Sequence, residues 1–414
     1  MKENDIIIGL EAHIQLNTKS KLFCNCPTDA TDPNTATCEV CLGHPGSKPR
    51  LNKKVIDYAI ELCLALNCKI LPEIFFSRKT YFYPDMSKNY QITQFEIPLG
   101  KQGKIKLSTG KEINITRVHM EEDPAKLVHE SGIHGSEYTL IDYNRSGIPL
   151  CEIVTEPELS SPEEARDFLN RLIAILNYLG IFDINKCIVK ADSNISIKGH
   201  ERVEVKNILG FKDVERALSY EITRQRNVLR RGMKIERETR SWDNISGTTK
   251  LLRKKETEED YGYIFEPDLT KIEITQDWIK SIEKNLPEFA DEKVKRFIKQ
   301  YKIKEDDAKV IAADPLIANL FEKVASKVNP ELSAKWIRRE LMRVLNYNKK
   351  EIYETKINEN HLIDLLKAID TKKITERTGQ KIIEKLVENP FDILDYIKKE
   401  GLGAVSDKDQ LIKF

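Results

Sequence analysis

The segment DIIIGLEAHIQL, from Asp5 to Leu16, constrains this chain more than any other, because its alternation sorts two kinds of chemistry onto two faces. Successive side chains of a strand turn to opposite sides, so Leu10, Ala12, Ile14 and Leu16 form an apolar face and Glu11, His13 and Gln15 a polar one. The apolar face demands a core. The polar face is either a solvated surface or a site. Glu11 and His13, two residues apart on it, lie roughly 6 to 7 Å apart at Cα, close enough to share one divalent cation.

At 414 residues the chain exceeds one ordinary core, and two or three domains are expected. The net charge of +1 excludes a protein that binds polyanions through its overall field. Residues 291–414 carry 26 Lys and Arg against 22 Asp and Glu, so a mild excess of +4 falls there and −3 on the rest. No apolar run reaches transmembrane length, and the first strand begins too close to Met1 for a leader, so a cytoplasmic location without membrane contact is expected. Cys63, Cys68, Cys151 and Cys187 sit at apolar positions as reduced, buried thiols would.

Four more cysteines, Cys24, Cys26, Cys38 and Cys41, occupy a polar, turn-rich stretch. Two close pairs separated by a short loop suit one tetrahedral zinc, and the loop has too few apolar residues to fold without such a staple. Four thiolates leave no open position, so this zinc holds structure. A helix follows over residues 53–67 behind Asn52 as N-cap, and then SRKTYFYPDMSKNYQITQ crowds Lys79, Tyr81, Tyr83, Lys88 and Tyr90 around Pro84 and Asp85. Tyrosines among basic residues can stack a base, line a polar passage, or simply face outward from an edge strand.

INITRVHMEED, Ile113 to Asp123, reads as a strand ending in Glu121, Glu122 and Asp123, and IDYNRSGIPLCEIVTE leads into another that carries Glu152. Ser161-Pro162-Glu163-Glu164 is a capping box that opens a helix ending at Gly180. In the hairpin CIVKADSNISIKGHERVEVKNI, Lys190, Asp192, Asn194, Ser196, Arg202, Glu204 and Lys206 share one face, more mixed polarity than solubility requires. An amphipathic helix spans Val214 to Arg231, KKETEEDYGYIFEPDL reads as leading into a linker, and the chain is helical beyond about residue 290. There Ile337, Leu341, Val344 and Leu345 oppose a row of Lys335, Arg339 and Arg343, spaced four apart, that faces solvent or nucleic-acid phosphates.

Carboxylates gathered on strands call for a cation, and oxygen-rich ligands favour magnesium or manganese. Phosphoryl transfer to a carboxylate has the matching difficulty, since two unit charges 4 Å apart repel by about 4 kcal/mol at an effective dielectric of 20. Neither GxxxxGK[ST] nor G-x-G-x-x-G occurs, so ATP would rest on a sheet face.

GLEAHIQL, the four-cysteine loop running into CLGHPGSKPRLNKK, RKTYFYPDMSKNYQITQ, HMEED, DYNRSGIPLCEIVTEP and VEVKNI together resemble the B subunit of the glutamyl-tRNA(Gln)/aspartyl-tRNA(Asn) amidotransferases, in order over nearly the whole chain. The resemblance implies an α+β fold: an antiparallel-sheet cradle domain over residues 1–290, similar to glutamine synthetase and holding the zinc loop 24–41, then an all-α region over 291–414 with a shortened tail. It implies ATP, Mg2+ and Zn2+ as cofactors, phosphorylation of the side-chain carboxyl of a misacylated tRNA, and amidation by ammonia that reaches it through a tunnel from the A subunit, an amidase, with the small C subunit in the same heterotrimer. Glu11, His13, Glu121 and Glu122 are then expected at magnesium and Lys206 in catalysis. Glu152, Lys190, Asp192, Asn194, Arg202 and Glu204 are expected at substrate, the Lys79 to Tyr90 segment at the tunnel mouth, and Lys335, Arg339 and Arg343 at tRNA.

The chain departs from that pattern in places. Lys190-Ala191 precede Asp192 where the family has Arg-Cys, and Asp260-Tyr261-Gly262-Tyr263 replaces Asp-Tyr-Arg-Tyr, which loses a cation. The large insertion of the sister E subunit is missing, which favours the B type. A free-standing carboxylate-amine ligase is disfavoured because no amidase or glutaminase motif supplies ammonia, and a non-catalytic zinc-bearing RNA-binding module would leave the carboxylates unexplained.

Overall fold

The computed structural model describes residues 5–128, 138–183, 187, 189–254 and 261–402. The chain divides into two compact units, Met1–Leu286 and Pro287–Phe414, four residues before the expected boundary.

Ile6–Gln15 is the central strand of a nine-stranded sheet. On one side of it lie, in spatial order, Val189–Ile197, Val203–Leu209, Glu238–Asp243 and Thr248–Lys254. On the other lie Pro149–Thr155, Glu112–Glu122, Gly100–Lys106 and Lys69–Ile70. Neighbours run antiparallel except Val203–Leu209 with Glu238–Asp243. The alternation behaves as its period requires: Leu10, Ala12 and Ile14 are buried in one core with Val118, Met120, Cys151, Ile153, Ala191 and Ile195. The apolar stripes of helices Lys53–Ala65, Pro162–Leu179 and Phe211–Arg230 belong to that core, so the helices cover this face.

Local signals set the helix ends. The Asn52 side chain accepts from Lys54 N at 3.0 Å, and the Ser161 hydroxyl accepts from Glu164 N at 3.2 Å. The second half of the capping box is displaced by one residue. Glu164 accepts from the Ser160 backbone N–H at 2.8 Å, and Lys111 holds its carboxylate at 2.7 Å.

One feature of the sheet has no mark in the sequence. The register of Glu112–Glu122 against Pro149–Thr155 shifts at Val154/Thr155, which leaves Thr116 as the extra residue of a bulge. Ile113 and Ile115 face the core before it and Val118 and Met120 after it. The change of phase puts Arg117, His119 and Glu121 on the polar face.

A three-stranded sheet, ordered Gly262–Phe265, Ser77–Thr80 and Tyr90–Thr93, lies over part of that polar face. The stretch expected to lead into a linker therefore contains a strand, because Gly262–Phe265 pairs residue by residue with Ser77–Thr80. Asp260 lies outside the described residues.

The second unit is helical, with Phe297, Phe321, Ile337, Leu341, Leu365, Leu366 and Leu386 in its core. Among the described residues no helix is long and apolar enough to cross a membrane.

Candidate active site on the polar sheet face

Pairing across the strands turns the sequence pattern into rows. Asp192, Glu11, Val154 and Arg117 face one another in one row, and Lys190, His13, Glu152 and His119 in the next. Gln15, Leu150 and Glu121 form a third. Glu152 thus stands between two imidazoles. His13 Nδ1 lies 3.1 Å from Glu121 Oε1 and 3.9 Å from Glu152 Oε2, while His119 Nε2 lies 3.2 Å from Glu152 Oε2 and 3.7 Å from Glu121 Oε2.

Ligand atoms of His13, Glu121 and Glu152 lie within 4.8 Å of one another, a spacing that one divalent ion can bridge. Burial works against charge on both imidazoles, but Glu152 and Glu121 outweigh it and lift His13 to about 10 and His119 to about 9. The imidazoles in turn hold Glu152 down at about 2 against its burial. Without an ion, protons on the imidazoles balance the carboxylates. A bound cation would do the same work in their place.

A cavity of about 170 Å³ opens over these residues, lined also by Glu11, Arg117, Asp192 and Lys206 and covered by Lys79, Thr93, Gln94, Phe95 and Tyr263. Burial, with the charges of Glu152, Glu204 and Asp192, raises Glu11, and burial raises Asp192. Asn194 donates to Glu11 Oε1 at 2.9 Å, and Lys206 Nζ lies 3.2 Å from Glu204 Oε1 and 3.9 Å from Asp192 Oδ2. A second cavity of about 270 Å³ shares Glu11 with the first and extends over Gly9 and Asn194 to Ser196 and Arg202. Gly9 carries no side chain there, so the floor stays flat.

The sulfurs of Cys24, Cys26, Cys38 and Cys41 lie within 4.8 Å of one another. A zinc with Zn–S bonds of about 2.3 Å sets its sulfurs about 3.8 Å apart, and Cys38 and Cys41 are separated by 3.9 Å, so the four thiols fit that ion. Hydrogen bonding from Cys24 and the nearby Lys21 ammonium bring Cys41 down to about 4. Lys21 is fully buried and donates to Ala36 O at 2.8 Å, Tyr143 O at 3.3 Å and Cys41 Sγ at 3.6 Å. The Cys41 carbonyl accepts from Ser87 Oγ at 2.9 Å and Ser146 Oγ at 3.1 Å, which ties the cysteine loop to two segments distant in sequence.

Comparison with known proteins agrees with this architecture. A family model described as GatB/GatE catalytic domain matches residues 6–280, and one described as GatB domain matches residues 319–414. The chain is 48% identical over 394 residues to the aspartyl/glutamyl-tRNA(Asn/Gln) amidotransferase B subunit of Methanospirillum hungatei, an alignment covering 94% of this chain and 82% of that protein. It is 46% identical over 414 residues to the B subunit of Saccharolobus solfataricus, covering 98% and 88%. The corresponding protein of Carboxydothermus hydrogenoformans is 41% identical over 424 residues, covering 99% and 88%.

This chain belongs to the B-subunit family of the aspartyl/glutamyl-tRNA(Asn/Gln) amidotransferases.

For this family member the structure gathers most, though not all, of the residues expected at its site. Glu11, His13, Glu121, Glu152, Asp192 and Lys206 line one cavity. Asn194 and Glu204 hold Glu11 and Lys206. Arg202 borders the second cavity, and Lys190 lies 3.7 Å from Asp123. Glu122, expected at the metal, is not brought to the His13 cluster. As the next residue after Glu121 on a strand it turns the other way, and its Oε1 meets Lys88 Nζ at 2.5 Å and Ile92 N at 2.8 Å.

Of the segment expected at a passage, Lys79 lines the cavity and reaches over the Tyr261 ring, Tyr81 is half-buried against Tyr261, and Tyr83 is exposed. Lys88 and Tyr90 stack on each other beside Glu122. Of the three cations expected at tRNA in the helical unit, two are paired. A wide π-helical turn at Ile337–Leu341 shifts the helical phase, and Lys335 and Arg343 pair with Glu376 and Glu384 on helix Glu376–Glu388, each at 3.0 Å. Arg339 remains exposed. Sequence reasoning assigned no role to His119, Arg117 or Lys21; only the bulge and the packing of the cysteine loop reveal them.

Proposed function

We propose that this chain is the carboxylate-activating member of a tRNA-dependent amidotransferase, acting on glutamyl-tRNA(Gln), aspartyl-tRNA(Asn) or both. The observation that carries this reading is the polar face, where a buried His13–Glu121–Glu152 cluster shares a cavity with the cations Arg117, Lys79 and Lys206.

The γ-phosphoryl group of ATP passes to a side-chain carboxylate oxygen of the misacylated tRNA. A P–O bond to that oxygen forms, and the bond to the β-phosphate breaks to release ADP. Ammonia then adds to the acyl carbon, inorganic phosphate leaves, and the nitrogen gives up a proton to yield the amide. The chain's part is positioning and charge compensation. Gly9 leaves a flat floor for the nucleotide beside Arg202, and Lys206, fixed by Glu204 and Asp192, offsets the charge of the acceptor. Glu11 and Asp192, both raised, are suited to take the proton that ammonia releases.

Residues His13, Glu121 and Glu152, with Glu11 beside them, would hold the magnesium ion, so Glu152 stands in the ligand set in place of Glu122. That ion would supply charge neutralisation at the phosphoryl oxygens. A zinc held by Cys24, Cys26, Cys38 and Cys41 would supply structure alone. Lys79 and Tyr81 border the route by which ammonia enters from the amidase, the A subunit of the complex, whose third member is the small C subunit. Amide formation on both misacylated tRNAs, with ATP, glutamine and the two partner proteins supplied, tests the reading. Product that requires ATP and this chain supports it, and product formed equally well without the chain defeats it.

A further inference from the structure

Arg117 is a cation of this cavity without an acidic partner among the described residues. Its guanidinium makes no ion pair or hydrogen bond among the described residues, and its Nε is shut off from solvent. Other arginines of this unit are bound by acidic partners: Arg78 by Glu266 at 2.7 Å, Arg224 by Glu221 at 2.7 Å, and Arg240 by Glu238 at 3.0 Å. Lys206, in the same cavity, has Glu204 and Asp192. A buried polar group left without a partner is costly, and more so when it is charged. A ligand that brings acceptor oxygens would remove that cost.

The bulge at Thr116 is what turns Arg117 to this face, and cross-strand pairing fixes what stands near it. Arg117 shares a row with Val154 and Glu11, and the adjacent row holds His119, Glu152 and His13. Neighbouring positions on one face of a strand are roughly 6 to 7 Å apart, so a small anion between the rows would touch the guanidinium on one side and the His13–Glu121–Glu152 cluster on the other. Five N–H donors in a planar fork suit such a group.

We propose that Arg117 contacts the phosphoryl group in transfer and stabilises the charge on its oxygens as the bond to ADP breaks and the bond to the acceptor carboxylate forms. The assignment rests on the ATP-dependent reading above. A phosphoryl group carries more negative charge than the acceptor carboxylate, and its place is beside the cation-binding cluster. The side chain transfers no proton and forms no covalent bond; it contributes a fixed positive charge and hydrogen bonds.

The test measures ADP release by the full chain assembled with its amidase partner, with misacylated tRNA, glutamine and ATP, for wild type, Arg117→Gln and Arg117→Lys. Arg117→Gln is expected to lower kcat by roughly 10²- to 10³-fold, with KM for the tRNA unchanged and Arg117→Lys recovering part of the loss. A kcat within about threefold of wild type for Arg117→Gln overturns the assignment, as does a raised KM for the tRNA at unchanged kcat, which would place the acceptor carboxylate there instead. Should the Gln variant fail to fold, phenylglyoxal labelling of the wild-type complex is read at the Arg117 peptide. Protection by a non-hydrolysable ATP analogue with magnesium is expected, and equal labelling with and without it overturns the contact. No ADP from the wild-type complex defeats the parent reading, whereas equal ADP from wild type and Arg117→Gln defeats Arg117 alone.

Discussion

Glu121 and Glu122 are consecutive in the chain and turned to opposite faces of their strand: Glu121 meets His13 Nδ1 at 3.1 Å, whereas Glu122 meets Lys88 Nζ at 2.5 Å. The first belongs to the His13–Glu121–Glu152 cluster of the polar face and the second ties that strand to the loop carrying Lys88. Two like residues in one motif therefore have separable roles.

Replacing each by Gln separates them. Glu121→Gln is expected to weaken manganese binding, followed by calorimetry or electron paramagnetic resonance, by roughly 10- to 100-fold. Glu122→Gln leaves that affinity within about threefold and lowers the melting temperature instead, because a buried ion pair loses one partner.

The cysteine loop makes a compositional prediction. Purified protein from zinc-replete expression should contain one zinc per chain, and Cys38→Ser should lose it. Elemental analysis showing zinc at less than about a tenth of an equivalent would remove the ion from the account.

Lys21 extends that prediction to a residue that binds no metal. Its ammonium is buried with two carbonyls and the Cys41 sulfur as partners and no carboxylate within ion-pair distance among the described residues. Lys21→Met should speed zinc release to a chelator by roughly 10- to 100-fold. Release at the wild-type rate would mean that the ammonium does not compensate the thiolates.

Acid stability should report on Glu164. Partial burial opposes its charge, but Lys111 and the Ser160 N–H outweigh that and hold the carboxyl below 4.5. A group whose folded pKa is depressed stabilises above its unfolded pKa, and the contribution is lost as pH falls through the folded value. The difference in melting temperature between wild type and Glu164→Gln should therefore stay constant from about pH 7 to 5 and shrink below about pH 4.5. A difference that widened toward acid would reverse the sign.

Much of this arrangement could be read from the chain because period-two alternation is a local property. It placed Glu11 and His13 together on one face, and Asp192, Asn194, Glu204 and Lys206 on another stretch of the same face. What could not be read depends on the ladder. The bulge at Thr116 follows from how Glu112–Glu122 pairs with Pro149–Thr155, and it decides that His119 and Arg117 face the cavity. Glu152 was expected at substrate, but its position between two histidines is a matter of register. Lys21 looks like a surface residue in sequence, since only the folded cysteine loop encloses it. The basic row reads as a stripe at spacing four, and the structure adds a wide helical turn within it and acidic partners for two of its members on the next helix.

Arg339 is the exposed member of the row, so Arg339→Ala should reduce the salt slope of tRNA binding by about 0.7 to 0.9, with a smaller change for Lys335→Ala. Equal slopes for both variants and wild type would remove this helix from the phosphate contacts.

His13→Ala tests the proposal that the polar face performs phosphoryl transfer to the acyl carboxylate. The most direct measurement compares ADP release and glutamine hydrolysis in the assembled complex for wild type and His13→Ala, with misacylated tRNA present. ADP release is expected to fall by about 10²-fold or more while glutamine hydrolysis by the partner persists. ADP release at the wild-type rate would contradict it.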